Sequence, residues 1–393
     1  MRAAPRRLVL NLLDRYIFKS VLFTCTAAVG MFAFIVIVPN IAKDLMAYVL
    51  AGQIPAATAA KLVLLLIPHA FTYALPMGML TGVLLTLGRL SADSEITAMR
   101  AAGIGIVRAT RPVILLAILA VSLGLYLNFD SMPRTRVEYY RSLAGAIRAN
   151  PLSLIVPKTF IREFSGHVVY VGEKEGGLLQ DIWIWELDAE RRVVRFAHAE
   201  SGRIDYAEEE NAIIFTPLHV KVETRDPSHP ESLAEPQLIA SVEQWESLRF
   251  PLDGVFGRAG SVRYKQDWMT YPEIQVARAR LAALPTPDDP AAAQQLARDR
   301  LKIDLIFSDK FNTSLAVLSL ALIGIPLGIK VSRRETSANF GVAVGLTLTY
   351  YLMTVLIKGL DRFPELRPDL LLWLPNLLFI AAGVWLMTRI ERR

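Results

Sequence analysis

Six segments of this 393-residue chain contain no Asp, Glu, Lys or Arg, and each is 18 to 27 residues long. The segments are Ser20–Ala42, Leu62–Gly88, Pro112–Phe129, Phe311–Ile329, Thr336–Ile357 and Leu370–Thr388. A helix needs about 20 apolar residues to cross the roughly 30 Å hydrocarbon layer of a bilayer. The pattern therefore predicts six membrane-spanning helices, and it excludes both a soluble globular protein and a disordered chain.

The charged residues are concentrated between the third and the fourth of these segments. Of the 80 charged residues, 51 lie in Asp130–Lys310, a stretch whose composition is that of an ordinary soluble domain. We therefore expect one membrane unit, built from two blocks of three spans, that is interrupted by one inserted domain.

Lys and Arg near the ends of spans indicate which side faces the cytoplasm. With the N-terminus inside, the pieces 1–19, 89–111, 330–335 and 389–393 contain 15 basic and five acidic residues, whereas 130–310 contains 23 basic and 28 acidic residues. This asymmetry predicts that both chain ends are cytoplasmic and that the inserted domain lies on the other side. The net charge of +6 then reflects topology and does not indicate a nucleic-acid surface.

The first apolar segment is too long for the apolar core of a secretory signal, which has about 7–15 residues, so we expect it to be a span. Cys25, the only cysteine, lies within it. No disulfide can form within the chain, so the inserted domain must be stable without one.

The inserted domain begins with a helical pattern and continues with strands. Tyr139, Leu143 and Ile147 have helical spacing, which predicts a helix over Asp130–Asn150. From Leu152 the apolar period falls to two. Three dipeptides give turn signals between the strands: Ser165-Gly166, Gly176-Gly177 and Ser201-Gly202. Short strands at this spacing are typical of a β-sandwich, a jelly roll or an open barrel.

The strand "DIWIWEL" shows the alternation most clearly. It places Ile182, Ile184 and Leu187 on one face and Trp183 and Trp185 on the other. The isoleucine face is expected to line the core of the domain.

Two helical segments follow the strands. Thr270 is an expected N-cap with Pro272 in the first turn, and helix is expected to resume near Ala291 and to run directly into the fourth span.

No catalytic constellation is apparent. The strands contain no nucleophile–base pair, no metal-ligand spacing of His or Cys and no phosphate loop, and GxxxxGK[ST] is absent from the whole chain. No apolar segment contains a carboxylate, and His69 is the one titratable histidine in them. We expect no enzyme activity, no cofactor and no metal, and any ATP hydrolysis must take place in a separate subunit. Gly341 and Gly345 are expected to allow close helix approach.

The cytoplasmic segment 89–112 predicts a short amphipathic helix at 91–103, capped by Ser91 and ended by Gly103. One interpretation is an interfacial reversal helix that lies parallel to the membrane. The other is a docking helix in a groove of a cytoplasmic partner. In the second, Ile96 and Met99 fill the groove while Glu95 and Arg100 make charge-assisted bonds at its rim.

Four motifs resemble the lipopolysaccharide-export permease family of the LptF/LptG (YjgP/YjgQ) type. They are "LLDRYIFKSVL", "GMLTGVLLTLGRLSADSEITAMRAAGI", "ALIGIPLGIKVSRR" and "WLPNLLFIAAGVWLM", in that order along the chain. The resemblance implies a membrane α-helical fold with six transmembrane helices (3+3) and an inserted all-β, jelly-roll-like periplasmic domain. The implied domains are spans one to three (1–129), the periplasmic β-jelly-roll domain (130–269), a periplasmic helical linker (270–304) and spans four to six (305–393).

The resemblance also implies a role in the bacterial inner membrane. The chain would be the transmembrane subunit of an ABC transporter that extracts lipopolysaccharide and passes it to a periplasmic jelly-roll bridge towards the outer membrane. Its partners would be a cytoplasmic ABC ATPase dimer and a second permease subunit, with spans one and five as lateral gates. The alternative is an assembly protein of the inner membrane whose β domain binds a periplasmic partner and moves no lipid.

The resemblance assigns site residues as well. The ATPase-docking residues would be Ser94, Glu95, Ile96, Met99 and Arg100. A lipid-binding role would fall on Lys43, which stands alone at the end of the first span where relatives of the G type have several basic residues. An interfacial lysine that extends to water is the other interpretation of Lys43.

Overall fold

In the part of the chain that the computed structural model describes, the helices lie before 150 and after 265, and the strands lie in between. The described residues are 12–40, 45–46, 49, 54–149, 152, 155–162, 164, 166–188, 190–207, 212–224, 238–244, 246–251, 265–285, 287–330 and 336–392.

Two short helices lie between two pairs of long helices in the N-terminal helical block. The helices are α1 (Leu12–Asn40), α2 (Ala56–Ala92), α3 (Glu95–Ala101), α4 (Ile106–Ala109), α5 (Arg111–Tyr126) and α6 (Met132–Ala149). A π-helical turn at Leu127–Ser131 connects the last two. The helix expected over Asp130–Asn150 is thereby confirmed.

The C-terminal block begins with a 3-10 turn at Gln266–Trp268 and continues with five helices. They are α7 (Tyr271–Ala283), α8 (Pro290–Lys330), α9 (Thr336–Lys358), α10 (Pro368–Leu371) and α11 (Leu374–Glu391). Two further 3-10 turns, at Gly359–Arg362 and Pro364–Leu366, follow α9.

Both predictions about the start of this block are confirmed. Thr270 caps α7 in a capping box, in which its backbone N–H donates to Glu273 Oε2 at 2.7 Å, and Pro272 lies in the first turn. The helix α8 runs without interruption for 41 residues, from Pro290 into the fourth apolar segment.

Six described helical segments are long and apolar enough to cross a membrane, which confirms the predicted fold class of six spans. They are Leu12–Pro39, Ala56–Ala92, Arg111–Ala146, Pro290–Lys330, Phe340–Asp361 and Pro368–Glu391. Their burial within the chain differs: 67% of the most apolar stretch is buried in the fourth span, but only 28% in the first and 17% in the fifth. The chain itself thus covers most of the fourth span and leaves the first and fifth spans largely uncovered.

The inserted domain is an antiparallel seven-stranded sheet, which confirms the expected all-β insertion. Its strands are β1 (Phe160–Ile161), β2 (His167–Glu175), β3 (Leu178–Leu187), β4 (Val193–Ala207), β5 (Ala212–Thr224), β6 (Leu238–Gln244) and β7 (Leu248–Pro251). Strands β1 to β6 pair in chain order, and β7 pairs with β5. Among the described strands, the connectivity is that of a meander.

The two faces of β3 differ as the alternation predicted. Ile182 and Ile184 are buried in a core to which Val171 and Phe215 also belong. Trp183 and Trp185, which alternate with them, lie on the other face and are half-buried. Because one face is apolar throughout, a shift of register by one residue would expose the core, which fixes the pairing.

The turn expected at Ser201-Gly202 is wrong, since β4 runs through both residues as a single strand of 15 residues. Gly202 has a packing role instead: a Cβ at this position would lie 2.7 Å from the Phe215 ring. A glycine in a strand can mark a close approach as well as a turn. Here the neighbouring phenylalanine fills the space.

The chain divides into two compact units. The first comprises Met1–Asn40, Leu65–Arg136 and Lys265–Arg393, and the second comprises Ile41–Leu64 and Val137–Tyr264. The first contains most of the helical spans, and the second contains the sheet. The domain limits expected from the sequence stay a prediction.

Glycines determine where helices approach closely in the first unit. A Cβ at Gly78 would lie 2.6 Å from the Val29 backbone nitrogen, and one at Gly82 would lie 2.6 Å from Cys25 Cα, so α2 packs directly on the backbone of α1. Within the described residues nothing lies within 4 Å of a Cβ built at Gly341 or Gly345. The close helix approach expected there stays a prediction for a contact from outside the chain.

Candidate functional site

The short helix α3 connects the second span to the third, but it is shorter than the 91–103 segment expected. It begins at Glu95, after Ser94 with a φ of 61°, and ends at Ala101. Gly103, with a φ of 79°, lies just beyond its C-terminus, as expected of the residue that ends the helix.

The expectation that Ser91 caps this helix is wrong. Ser91 is still part of α2, and its Oγ donates to the Ile329 carbonyl oxygen at 2.9 Å. Ser94 occupies the N-cap position without a side-chain capping bond. Ser91 therefore connects the second span to the fourth, and α3 begins without a side-chain cap.

Glu95 already has a partner within the chain. Tyr16 on α1 donates its hydroxyl hydrogen to Glu95 Oε1 at 3.1 Å, and Glu95 is half-buried. The residue expected at the rim of a partner groove thus also connects α3 to the first span.

Ile96 and Met99 point into the chain's own helical core. Ile96 is 8% exposed and belongs to a cluster with Ile17, Leu87 and Leu90, and Met99 packs against the same cluster. The expectation that the two fill a groove of a partner is therefore corrected for Ile96. A buried side chain of this kind anchors α3 to the spans, which is worth roughly 1.5–3 kcal/mol.

The outward face of α3 consists of small side chains around one cation. Its exposed residues are Thr97, Ala98, Arg100 and Ala101. Small side chains let another backbone or helix approach closely, and a guanidinium offers five donors to a carboxylate. Arg100 was expected to lie at this surface, whereas the small face was not, although the residues between the apolar ones indicate it.

One ion pair and one backbone hydrogen bond hold the segment after α3 against two spans. Arg108 of α4 lies 3.5 Å from Asp14 of α1, and Glu391 at the end of α11 accepts a hydrogen bond from the Ile106 backbone N–H at 2.9 Å. The first and last spans thus both contact the segment that follows α3. A force applied to α3 would be passed to several spans.

Lys43, the expected lipid-binding residue, lies outside the described residues. Its role stays a prediction.

A second feature, which sequence analysis missed, is a polar cavity of about 430 Å³ within the first unit. Six charged residues line it: Asp267, Lys302, Asp309, Lys310, Lys358 and Asp361. The apolar segment Phe311–Ile329 begins directly after two of them, Asp309 and Lys310, so the charge-free segment itself lies next to the cavity and gives no sign of it.

Lys310 is 5% exposed, and its Nζ donates to the Asn128 carbonyl oxygen at 2.9 Å. Asn128 lies in the π-helical turn and itself donates through Nδ2 to Ser314 Oγ at 3.0 Å. A π-turn disturbs the regular ladder of backbone hydrogen bonds, and Lys310 supplies a donor there. Lys358 forms an ion pair with Asp309 at 2.6 Å.

The described residues contain no group of three or more His, Cys, Asp or Glu side chains that could hold a metal ion. Within the same residues, His69 packs edge-on against Tyr73 at 5.3 Å, and its Nδ1 is buried without a hydrogen bond. The described residues thus offer two surfaces, the exposed face of α3 and the cavity lined by charged side chains.

Comparison with known proteins adds to this geometry. Residues 15–389 match the family described as lipopolysaccharide export system permease LptF/LptG. The chain is similar to the lipopolysaccharide export system permease protein LptF of Escherichia coli strain K12, with 22% identity over 342 residues that cover 85% of this chain and 83% of the relative. It has the same identity and coverage with the protein of that name from Shigella flexneri.

Proposed function

Because this chain belongs to the lipopolysaccharide export permease LptF/LptG family, we propose that it is the membrane subunit of an ATP-driven machine that extracts lipopolysaccharide from the inner membrane. The observation on which the proposal rests is the match over residues 15–389, since it includes both helical blocks and the β domain. The chain itself is a permease subunit of lipopolysaccharide export. Its partners, the side on which each part lies and its lipid path belong to the proposal.

Energetic arguments support an external source of energy. Burial of a lipid contributes about 0.8 kcal/mol for each CH₂ group, so extraction of a lipid with several acyl chains costs on the order of tens of kcal/mol. The sequence contains no GxxxxGK[ST] phosphate loop. A separate cytoplasmic ABC ATPase dimer would therefore supply the energy.

The proposed contact with this ATPase is the outward face of α3, with Arg100 and the accessible part of Glu95 at its rim. What supports this choice is the way α3 is held: Ile96 anchors it to the spans, and Tyr16 joins it to α1. Movement of the ATPase would then be passed directly to the first span.

The proposed lipid path follows the two spans that the chain covers least. The first and fifth spans have 28% and 17% of their most apolar stretches buried, and Phe34 and Leu348 are each 68% exposed. Exposed apolar faces of this extent suit lipid chains and a second permease subunit. The β domain would lie in the periplasm and pass the lipid to a bridge of similar domains through an edge strand.

Charge reversal at Glu95 tests the docking site. Glu95→Lys should reduce co-purification of the ATPase and ATP-dependent lipopolysaccharide release by about tenfold or more, because a charged partner would be left unpaired. Asp93→Lys, a charge reversal on an exposed residue just before α3, is the matched control and should change both values little.

A third variant separates docking from the internal bond. Glu95→Gln keeps an oxygen that can accept from the Tyr16 hydroxyl, which lies 3.1 Å away, but removes the charge. Reduced co-purification in this variant supports a direct contact with the ATPase. Unchanged co-purification and release in Glu95→Lys would exclude the docking role.

The assembly-protein alternative differs in what the β domain contacts. A photoreactive residue at Val222, on the edge of the β-domain core with 9% exposure, should form lipid adducts if the domain conducts lipid. Protein adducts alone would favour the alternative.

A further inference from the structure

The outer face of the β sheet has a continuous row of aromatic side chains, which we term the aromatic strip. Its members are Phe160 on β1, Tyr170 on β2, Trp183 and Trp185 on β3, and Phe196 and His198 on β4. Neighbouring rings have centroids 4.2 to 6.4 Å apart. The strip thus crosses four strands on the side opposite the buried core.

The strip is accessible as well as continuous. Phe160 is 58% exposed, and the other five side chains are half-buried. Trp183 and Trp185 are nearly parallel, with an angle of 16° between their planes. The aromatic strip is not needed for the core of the β domain, because Ile182 and Ile184 on the opposite face of the sheet already belong to that core. Exposed aromatic area of this kind in a soluble domain marks a binding surface.

A carboxylate is built into the strip. Asp181 Oδ1 accepts a hydrogen bond from Trp183 Nε1 at 2.8 Å and lies 3.0 Å from His198 Nε2. The Asp181 side chain is 55% exposed. A carboxylate that contacts two ring side chains while its side chain stays exposed can also accept a hydrogen bond from a bound molecule.

The backbone is strained where this carboxylate is held. Asp181 has a φ of 53°, in the left-handed region that costs a non-glycine residue about 1–2 kcal/mol. Gly172 lies opposite, and a Cβ there would approach the Asp181 Cβ to 2.9 Å. Pairing skips both residues, because Val171 pairs with Ile182 and Glu173 with Gln180. Strain of this kind persists where the surrounding structure requires it, and it is found at binding sites.

We propose that the aromatic strip, together with Asp181, binds saccharide, namely the sugar part of the glycolipid cargo. The inference rests on the proposed function, which supplies a cargo with both acyl chains and sugars. Sugars present C–H groups to aromatic rings and hydroxyl groups to a carboxylate, so one ligand satisfies both features of the strip.

The polar content of the strip favours sugar over acyl chains. An acyl chain on this face would remove water from the Asp181 carboxylate and from His198 without offering hydrogen bonds in exchange, and loss of hydration from a charged group is costly. The buried face of the sheet, lined by Val171, Ile182 and Phe215, is the apolar one. The two faces therefore suit the two parts of a glycolipid.

Titration of the full chain with a delipidated lipopolysaccharide core oligosaccharide tests this site without the ATPase. The double variant Trp183→Ala/Trp185→Ala should bind the oligosaccharide about tenfold more weakly, since an aromatic contact contributes up to roughly that factor. Trp183→Tyr/Trp185→Tyr keeps the rings and should bind within a few-fold of the unmodified chain. Trp385→Ala, which removes a 58% exposed tryptophan from the last span, is the matched control and should have no effect.

Three results would overturn the proposal: no binding of the oligosaccharide to the unmodified chain, equal binding by the alanine double variant, or competition by a fatty acid at the same site. Asp181→Asn should also weaken binding of the oligosaccharide. Protease resistance of the β domain is measured for each variant, and unchanged resistance excludes misfolding as the cause of weaker binding. ATP-driven lipopolysaccharide release by the unmodified complex is measured in parallel. Release without oligosaccharide binding refutes the strip and leaves the exporter function standing, whereas absence of release refutes the function itself.

Discussion

The second and fifth spans both contain two glycines four residues apart, but the two pairs have different surroundings. Gly78 and Gly82 of α2 lie so close to α1 that a Cβ would approach within 2.4 Å of Val29 and 2.5 Å of Cys25. Gly341 and Gly345 of α9 have open space where a Cβ would be. Half of the most apolar stretch is buried in the second span, against 17% in the fifth.

This difference shows that one sequence pattern serves two kinds of contact. In a membrane, helices associate through close packing, and small residues make the approach possible. The pair in α2 is used within the chain to hold α1. The pair in α9 is open to a contact from outside the chain, for which a second permease subunit is the proposed partner.

The largest effect is expected at the packed pair. Gly82→Val places side-chain atoms against the Cys25 backbone, and overpacking of this kind costs about 3 kcal/mol. Thermal unfolding in detergent should show a large loss of stability or no folded protein. Gly345→Val is the matched control, with the same added volume, and should unfold near the temperature of the unmodified chain. Equal losses in both variants would contradict the comparison.

The next largest effect is expected at the buried hydrogen bond between Lys310 and Asn128. Lys310→Met removes the charged donor to the buried Asn128 carbonyl oxygen, at a cost of about 1–3 kcal/mol. Chemical unfolding should report this loss. A variant as stable as the unmodified chain would show that water or a neighbour replaces the lysine.

A smaller effect is expected at the open pair, and only on association. Gly345→Val should weaken pairing with the second permease subunit by about tenfold, because the added side chain holds the two helices apart. Fluorescence energy transfer between labelled subunits in nanodiscs measures this change, with Gly145→Val in α6, another helical glycine with open space for a Cβ, as the control. Unchanged pairing would place the subunit contact elsewhere.

The smallest effect is expected at the end of the fifth span. Lys358→Met breaks the ion pair with Asp309. The Lys358 side chain is 43% exposed and that of Asp309 is 33% exposed, so the free energy of unfolding should fall by less than about 1 kcal/mol. The same unfolding assay compares it with Lys310→Met. A loss larger than that of the buried lysine would mean that the fifth span contributes more to the fold than its burial indicates.

Most of the fold was predictable because each signal is physical and local. Charge-free segments locate the spans, and the alternation of Ile182 and Ile184 with Trp183 and Trp185 assigns the two faces of β3. The capping box at Thr270 was predictable for the same reason.

The failures concern partners that only the folded chain supplies. Ser201-Gly202 has the composition of a turn, but Phe215 packs where a side chain would be. Ser91 is a good capping residue, yet α2 continues past it.

The candidate site was predictable in part. An apolar stripe containing Ile96 shows that something covers it, but not whether the cover is the chain itself or a partner. The same limit explains why Gly341 and Gly345 were assigned close packing while Gly78 and Gly82 were overlooked. Lys310 was missed because a charge at the edge of an apolar segment gives no sign of its burial.

ATP-dependent lipid transfer to the β domain tests the account most directly. Proteoliposomes would contain lipopolysaccharide, the ATPase, the second subunit and this chain with a photoreactive residue at Val222. The account predicts lipopolysaccharide adducts at this position that increase with ATP and are lost in Glu95→Lys. Adducts that form equally without ATP, or that persist in Glu95→Lys, would contradict it.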